Sequence, residues 1–95
     1  MPRPRKRRRL ARQPGASIYK PAGVPLEELS QVRLLPEELE ALRLADLEGL
    51  SQVKAAERMD ISRSTFQRIL ERAHRQVALA LSQGQALRIE ENSPH

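Results

Sequence analysis

"MDISRSTFQRIL", residues 59–70, is the stretch on which the reading of this chain turns. An apolar residue, Met59, gives way to Asp60, then to a single apolar Ile61, then to Ser-Arg-Ser-Thr, and an apolar helical rhythm follows. Asp60 can take the left-handed conformation of a tight turn, though less readily than glycine. Ser62 is a good helix N-cap. At ~100° per residue, Phe66, Ile69, Leu70, Ala73, Val77 and Leu81 then share one side of a helix running to about Ser82, with Gly84 as its terminator.

Upstream, Gly49 supplies a stop and Ser51 caps a short helix from Gln52 to Met59. Two helices joined by a three- to four-residue turn, the second polar at its start, form a helix-turn-helix candidate. Ala55 and Ala56 are small where the helices must approach. Met59, Ile61, Phe66 and Ile69 are the expected interior around the turn, with Ile61 as a plug. If these point inward, Arg63, Ser64, Gln67 and Arg68 must project outward, with Glu71, Arg72 and Arg75 continuing the exterior.

Those residue types suit double-stranded DNA. Arginine donates two hydrogen bonds to guanine, glutamine pairs with adenine, and serine serves base or phosphate. Arg63, Ser64, Gln67 and Arg68 are therefore the expected base readers. Gln52, Lys54, Arg58, Ser62, Arg72 and Arg75 are the expected phosphate contacts, which position without reading sequence. The competing reading is an ordinary amphipathic helix with a solvated basic face.

A further helix is expected before this pair. "LPEELEALRLADLEGL" puts Pro36 at a first helical position and Glu37 and Glu38 in the first turn. Leu35, Leu39, Leu42 and Leu50 share one side, whereas Leu44 and Leu47 lie off it. Two apolar sides predict two contacts, the core and either the N-terminal segment or a second subunit. Arg43 and Asp46 are spaced to pair at i, i+3. After Gly84, "QALRIEE" alternates weakly and is compatible with a short strand.

The charge is unevenly distributed. Residues 1–20 hold eight Lys/Arg and no acid, in a chain of net charge +5. Arg3, Arg5, Lys6, Arg7, Arg8, Arg9 and Arg12, broken by prolines, read as a flexible arm that binds a polyanion. A solvated solubility tail or a contact with an anionic membrane surface is the rival reading. Cysteine is absent, which excludes disulfides and thiolate metal sites. No apolar run approaches the ~20 residues that span a bilayer, and no secretory signal pattern follows the basic start.

The expected organisation is a basic arm over 1–16, an irregular segment over 17–34 anchored by Ile18 and Tyr19, a helix-turn-helix domain over 35–84, and a short strand and tail over 85–95. The fold class is all-α, three to four helices. Ser-His-acid sets, paired carboxylates with a pocket, and glycine-rich phosphate loops are missing, and the histidines are His74 and His95, so neither an enzyme nor a cofactor is expected. Sequence-specific binding of single-stranded RNA leans on aromatic platforms, and only Tyr19 and Phe66 are available.

The segments "MPRPRK", "YKPAGVPL", "EALRLADLEGL", "AAERM", "SRSTFQRILERA" and "ALRIE" give the chain a resemblance. It resembles a family of small, largely uncharacterised bacterial and archaeal proteins described as predicted DNA-binding proteins. Their helix-turn-helix looks like region four of primary sigma factors. The resemblance implies a DNA-binding domain of three or four helices. The chain departs from the family pattern in three places. Arg7 and Ala11 stand where many relatives carry cysteines, Asp60 stands where glycine or asparagine is usual, and Val53 and Lys54 replace a commonly acidic pair.

The resulting expectation is a cytoplasmic, nucleoid-associated transcriptional regulator that binds double-stranded DNA. A homodimer through Leu44, Leu47 and the terminal strand is also expected, because a core of about 50–65 residues is marginal alone. The alternatives are a protein-interaction adaptor on the transcription machinery, with RNA polymerase as partner, and a binder of structured RNA.

Overall fold

The computed structural model describes residues 17–90. The basic arm, Arg3 to Arg12, and His95 lie outside them. The described chain runs β1 (Ser17–Tyr19), a 3-10 turn (Leu26–Glu28), β2 (Gln31–Leu34), α1 (Pro36–Leu42) continued by a π-helical turn (Arg43–Leu47), α2 (Gln52–Met59), α3 (Arg63–Gln83) and β3 (Ala86–Ile89).

The domain is mostly helical but not all-α, which corrects the expected fold class. Three strands form one sheet in the order β1-β3-β2. β3 runs antiparallel to β1, pairing Ser17 with Ile89 and Tyr19 with Leu87. It runs parallel to β2, pairing Gln31 with Ala86 and Leu34 with Ile89. A parallel pair needs a long crossover, and all three helices supply it. The segment read as irregular over 17–34 thus contains two strands. It is tied down by strand pairing and not by Tyr19, whose side chain is 63% exposed.

The helices form where the local chemistry directs them. Pro36 stands first in α1, and Leu35 in extended conformation precedes it. The Ser51 hydroxyl accepts from the Lys54 N–H at 3.2 Å, and the Ser62 hydroxyl from the Thr65 N–H at 3.1 Å. Gly84, at φ 64°, ends α3.

Two apolar clusters make the core, and α3 runs through both. Phe66 and Leu70 pack with Ala41, Leu44, Ala55 and Ala56. One to two turns on, Ala73 packs with Leu34 of β2 and Ile89 of β3, with Val77 and Leu87 against them.

The π-helical turn changes the expected facing of α1. Its i→i+5 bond, Glu48 N–H to Arg43 O at 2.9 Å, inserts an extra residue into the helical phase. Leu44 is rotated into the core and is fully buried, while Leu47 is left 79% exposed. The same shift breaks the expected Arg43–Asp46 pair. Arg43 pairs with Glu40 at 2.7 Å and with Glu48, and Asp46 turns to His74, 2.8 Å away. Leu81 also departs from expectation. It lies ~70° from the line through Phe66 and Ala73, Ala80 takes the buried place, and Leu81 is 78% exposed. The surfaces expected to form a dimer are therefore largely used within the chain: Leu44 is core and β3 is the central strand.

Candidate nucleic-acid interface

The connection between α2 and α3 is a closed Schellman turn. Asp60 is left-handed at φ 59°; its N–H donates to Glu57 O at 3.1 Å, and the N–H of Ile61 donates to Ala56 O at 3.0 Å. These are the two bonds that satisfy the last carbonyls of a helix at such a turn. Ile61 then packs on the cluster containing Ala55, Ala56 and Phe66. The chain leaves this turn at Ser62, whose hydroxyl accepts from the Thr65 N–H and donates to Thr65 Oγ1 at 2.9 Å.

With Phe66 fully buried and Ile61 packed beside it, Arg63, Ser64, Gln67 and Arg68 are all exposed on the first two turns of α3. Lys54, Arg58, Arg72 and Arg75 are exposed too, whereas Gln52 is half-buried. Ser62 is exposed but has its hydroxyl engaged at the cap, so it has less to offer a ligand than its position suggests.

The distribution of ion pairs separates two kinds of cation. Among the described residues, Arg33, Arg43, Arg72 and Arg88 each have a carboxylate within 4.0 Å. Lys20 bonds instead to the Val24 carbonyl at 2.5 Å. Lys54, Arg58, Arg63, Arg68 and Arg75 have no carboxylate partner among the described residues, and all five lie on α2 and α3. Residues 52–75 hold six Lys/Arg and three acids, while the rest of the described chain holds four Lys/Arg and eight acids. Among the described residues, positive charge is thus gathered around the α2–α3 turn and the rest carries a negative excess.

One residue that bears on this surface, Glu38, is not singled out by the sequence. Glu38 looks like a routine first-turn acid, yet its side chain is 2% exposed. Its Oε1 accepts from the Leu35 N–H at 2.9 Å, and its Oε2 lies 2.6 Å from Arg72 Nε. The position three residues after Leu35 signals the capping half of this role. Nothing local signals that an arginine 34 residues later will meet it. Together with His74–Asp46, the Arg72–Glu38 pair ties α3 to both ends of the α1 segment.

Two other ion pairs hold the domain's edges. Arg33 donates from Nε and Nη2 to Glu90 at 2.7 and 2.9 Å. The hydrogen bond from Arg33, then its charge, hold the Glu90 carboxyl below the ordinary carboxylate range. The hydrogen bond from Arg43 does the same to Glu40. Among the described residues no helix is long and apolar enough to cross a membrane.

Comparison with known proteins gives a consistent family and no solved structure that matches. A UPF0251 protein of Dehalococcoides mccartyi is 57% identical over 90 residues, covering 95% of this chain and 77% of the relative. One from Pelotomaculum thermopropionicum is 54% identical over 89 residues, 94% of this chain and 67% of the relative. One from Vibrio parahaemolyticus is 53% identical over 87 residues, 92% and 91%. The family model described as "Protein of unknown function DUF134" matches residues 1–93, and the chain belongs to that family.

Proposed function

We propose that this protein binds double-stranded DNA in a sequence-selective manner through α2 and α3, used as a helix-turn-helix, and acts as a transcriptional regulator. The observation that carries the reading is the set of five exposed cations without a carboxylate partner among the described residues, Lys54, Arg58, Arg63, Arg68 and Arg75, gathered on these two helices. The other described arginines, Arg33, Arg43, Arg72 and Arg88, are engaged by carboxylates, so these five are the cations left for a ligand. The polar quartet on the first two turns of α3 is what a major groove accepts, since base edges offer paired acceptors to arginine and a donor–acceptor pair to glutamine. A groove ~12 Å wide admits a single helix entering by that end.

In this reading Arg63, Ser64, Gln67 and Arg68 face base edges. Lys54, Arg58 and Arg75, with the outer face of Arg72, fix the register on phosphates. The arm from Arg3 to Arg12 adds contacts that do not depend on sequence. The resemblance to region four of sigma factors supports the same docking. A dimer reading half-sites ~34 Å apart would have to form through surfaces other than Leu44 and β3; among the described residues the large exposed apolar side chains are Tyr19, Leu47, Val53, Leu79 and Leu81.

The test is selection of bound duplexes from a random library, followed by fluorescence anisotropy of the enriched duplex and a scrambled one at two salt concentrations. The expected result is an enriched motif that retains an affinity advantage of ~10³ or more at physiological salt. Equal affinity for both duplexes, collapsing together with salt, would reduce the activity to charge alone and overturn the reading.

A further inference from the structure

Arg68, Glu71, Arg72 and Arg75 line a shallow cleft of about 270 Å³ on the outer side of α3. The three arginines are spaced i, i+4 and i+7, so they stand within ~11 Å along the helix axis. Glu71 sits among them, but no ion pair forms between it and any of the three. The cleft therefore keeps its positive charge.

What separates this cleft from an ordinary basic face is what lies behind it. An exposed arginine on a helix ordinarily samples many rotamers, and fixing it on a ligand sacrifices that freedom. Arg72 is already restrained by an ion pair with a buried partner. Its Nε is held at 2.6 Å by Glu38 Oε2, and the Glu38 side chain is 2% exposed while that of Arg72 is 58% exposed. Glu38 is itself locked, because its other oxygen accepts from the Leu35 N–H at the start of α1. A guanidinium carries five N–H donors, more than one oxygen of Glu38 can satisfy. The Arg72 side chain is 58% exposed and lines the cleft with Arg68 and Arg75, so its other donors are available to a ligand there.

We propose that this cleft is a seat for one phosphate group, and that buried Glu38 is the residue that positions Arg72 for it. This rests on the DNA-binding reading for the source of the phosphate, but the chemistry recognised is a phosphate group between two or three guanidinium forks. Glu38 does not touch the ligand; it acts through Arg72.

The sign of one substitution separates this role from simple charge. Glu38→Gln keeps an acceptor for the Leu35 N–H and removes a negative charge near a polyanion site. Charge alone predicts tighter binding. Loss of positioning predicts roughly two- to tenfold weaker binding, with the slope of log K against log salt shallower by ~0.9 as one phosphate contact is lost. Arg72→Lys, which keeps the charge and loses the fork, should weaken binding as Glu38→Gln does.

The experiment has two arms, with the fold of each variant checked by circular dichroism. Pyrophosphate is titrated into the full chain while the arginine Nε–H resonances are followed. Duplex affinity is then measured at several salt concentrations. The expected result is that Arg68, Arg72 and Arg75 respond together to pyrophosphate in the wild type, that the Arg72 response is lost in Glu38→Gln, and that duplex binding weakens with the shallower slope. An Arg72 resonance indifferent to pyrophosphate in the wild type overturns the proposal whether or not the variant folds, and so does tighter duplex binding by Glu38→Gln. A pyrophosphate response without any duplex binding leaves the seat standing and removes the DNA reading instead.

Discussion

Replacing Phe66 with alanine tests the packing on which the presentation of α3 depends. Phe66 is fully buried among Ala41, Leu44, Ala55, Ala56 and Leu70, drawn from α1, its π-helical turn, α2 and α3. The small residues around it come from backbones that would have to move to fill the space, so relaxation should be incomplete. Truncation of such a phenylalanine costs ~3–5 kcal/mol in lost transfer energy and residual cavity. A domain with roughly 75 ordered residues has about 4–11 kcal/mol of stability to lose. Phe66→Ala should therefore leave the protein near the edge of folding, with its urea midpoint lowered by ~2 M or more. Phe66→Leu, which keeps most of the volume, should lose only ~1–1.5 kcal/mol. Urea titration followed by circular dichroism measures both, which suits a chain lacking tryptophan and having its one tyrosine exposed. A loss below ~1.5 kcal/mol for Phe66→Ala would mean that this ring does not hold α3 against the other helices, and the argument that it forces the arginines outward would fail.

Three further outcomes can be checked. Arg68→Ala should reduce discrimination at a single base pair by ~1–3 kcal/mol, read by anisotropy on single-site duplex variants; unchanged preference would remove Arg68 from the base readers. Leu44→Ala should lose ~2–5 kcal/mol, whereas Leu47→Glu should stay within ~0.5 kcal/mol, and a reversal in urea titrations would contradict the phase shift of the π-helical turn. Finally, the Glu90 and Glu40 carboxyls lie below their ordinary value of 4.5 because Arg33 and Arg43 bond to them. Such groups stabilise the fold above the unfolded value and lose that effect as pH falls through the folded one. The thermal midpoint should thus hold steady from neutral pH to about 5 and drop below 4.5, with Glu90→Gln showing a smaller drop; a midpoint insensitive to acid would refute both pairs.

How much of this was readable from residues alone depended on the range of the signal. The caps Ser51 and Ser62, Pro36, the left-handed Asp60 and the stop at Gly84 act within one turn of the chain, and each appears where its chemistry puts it. The helical period puts Arg63, Ser64, Gln67 and Arg68 outside because Phe66 is core, and all four are exposed. Of the sheet, only the strand expected after Gly84 is legible, and it is β3; β1 and β2 escape because they are three to four residues long. The alternation in "QVRL", with Val32 and Leu34 buried and Gln31 and Arg33 exposed, is too brief to stand out, and its partner lies more than fifty residues away. The π-helical turn was missed for a different reason: a straight helical period assigns Leu44 and Leu47 to the wrong surfaces, and nothing in "RLADLEGL" marks the extra residue. Glu38 belongs with the sheet, since its partner Arg72 is remote in the chain.

The placement of β3 between β1 and β2 has a consequence for how the protein is made. Neither of the first two strands has the other as a neighbour, so both wait for residues 86–89. A nascent chain on the ribosome can coil α1, α2 and α3 as each emerges, but it cannot zip the sheet until Ala86–Ile89 has been translated. Pairings between residues as distant as Ser17 and Ile89 close late and slowly. Removing those four residues would leave two unzipped strands at the front of the molecule, with edges open to aggregation.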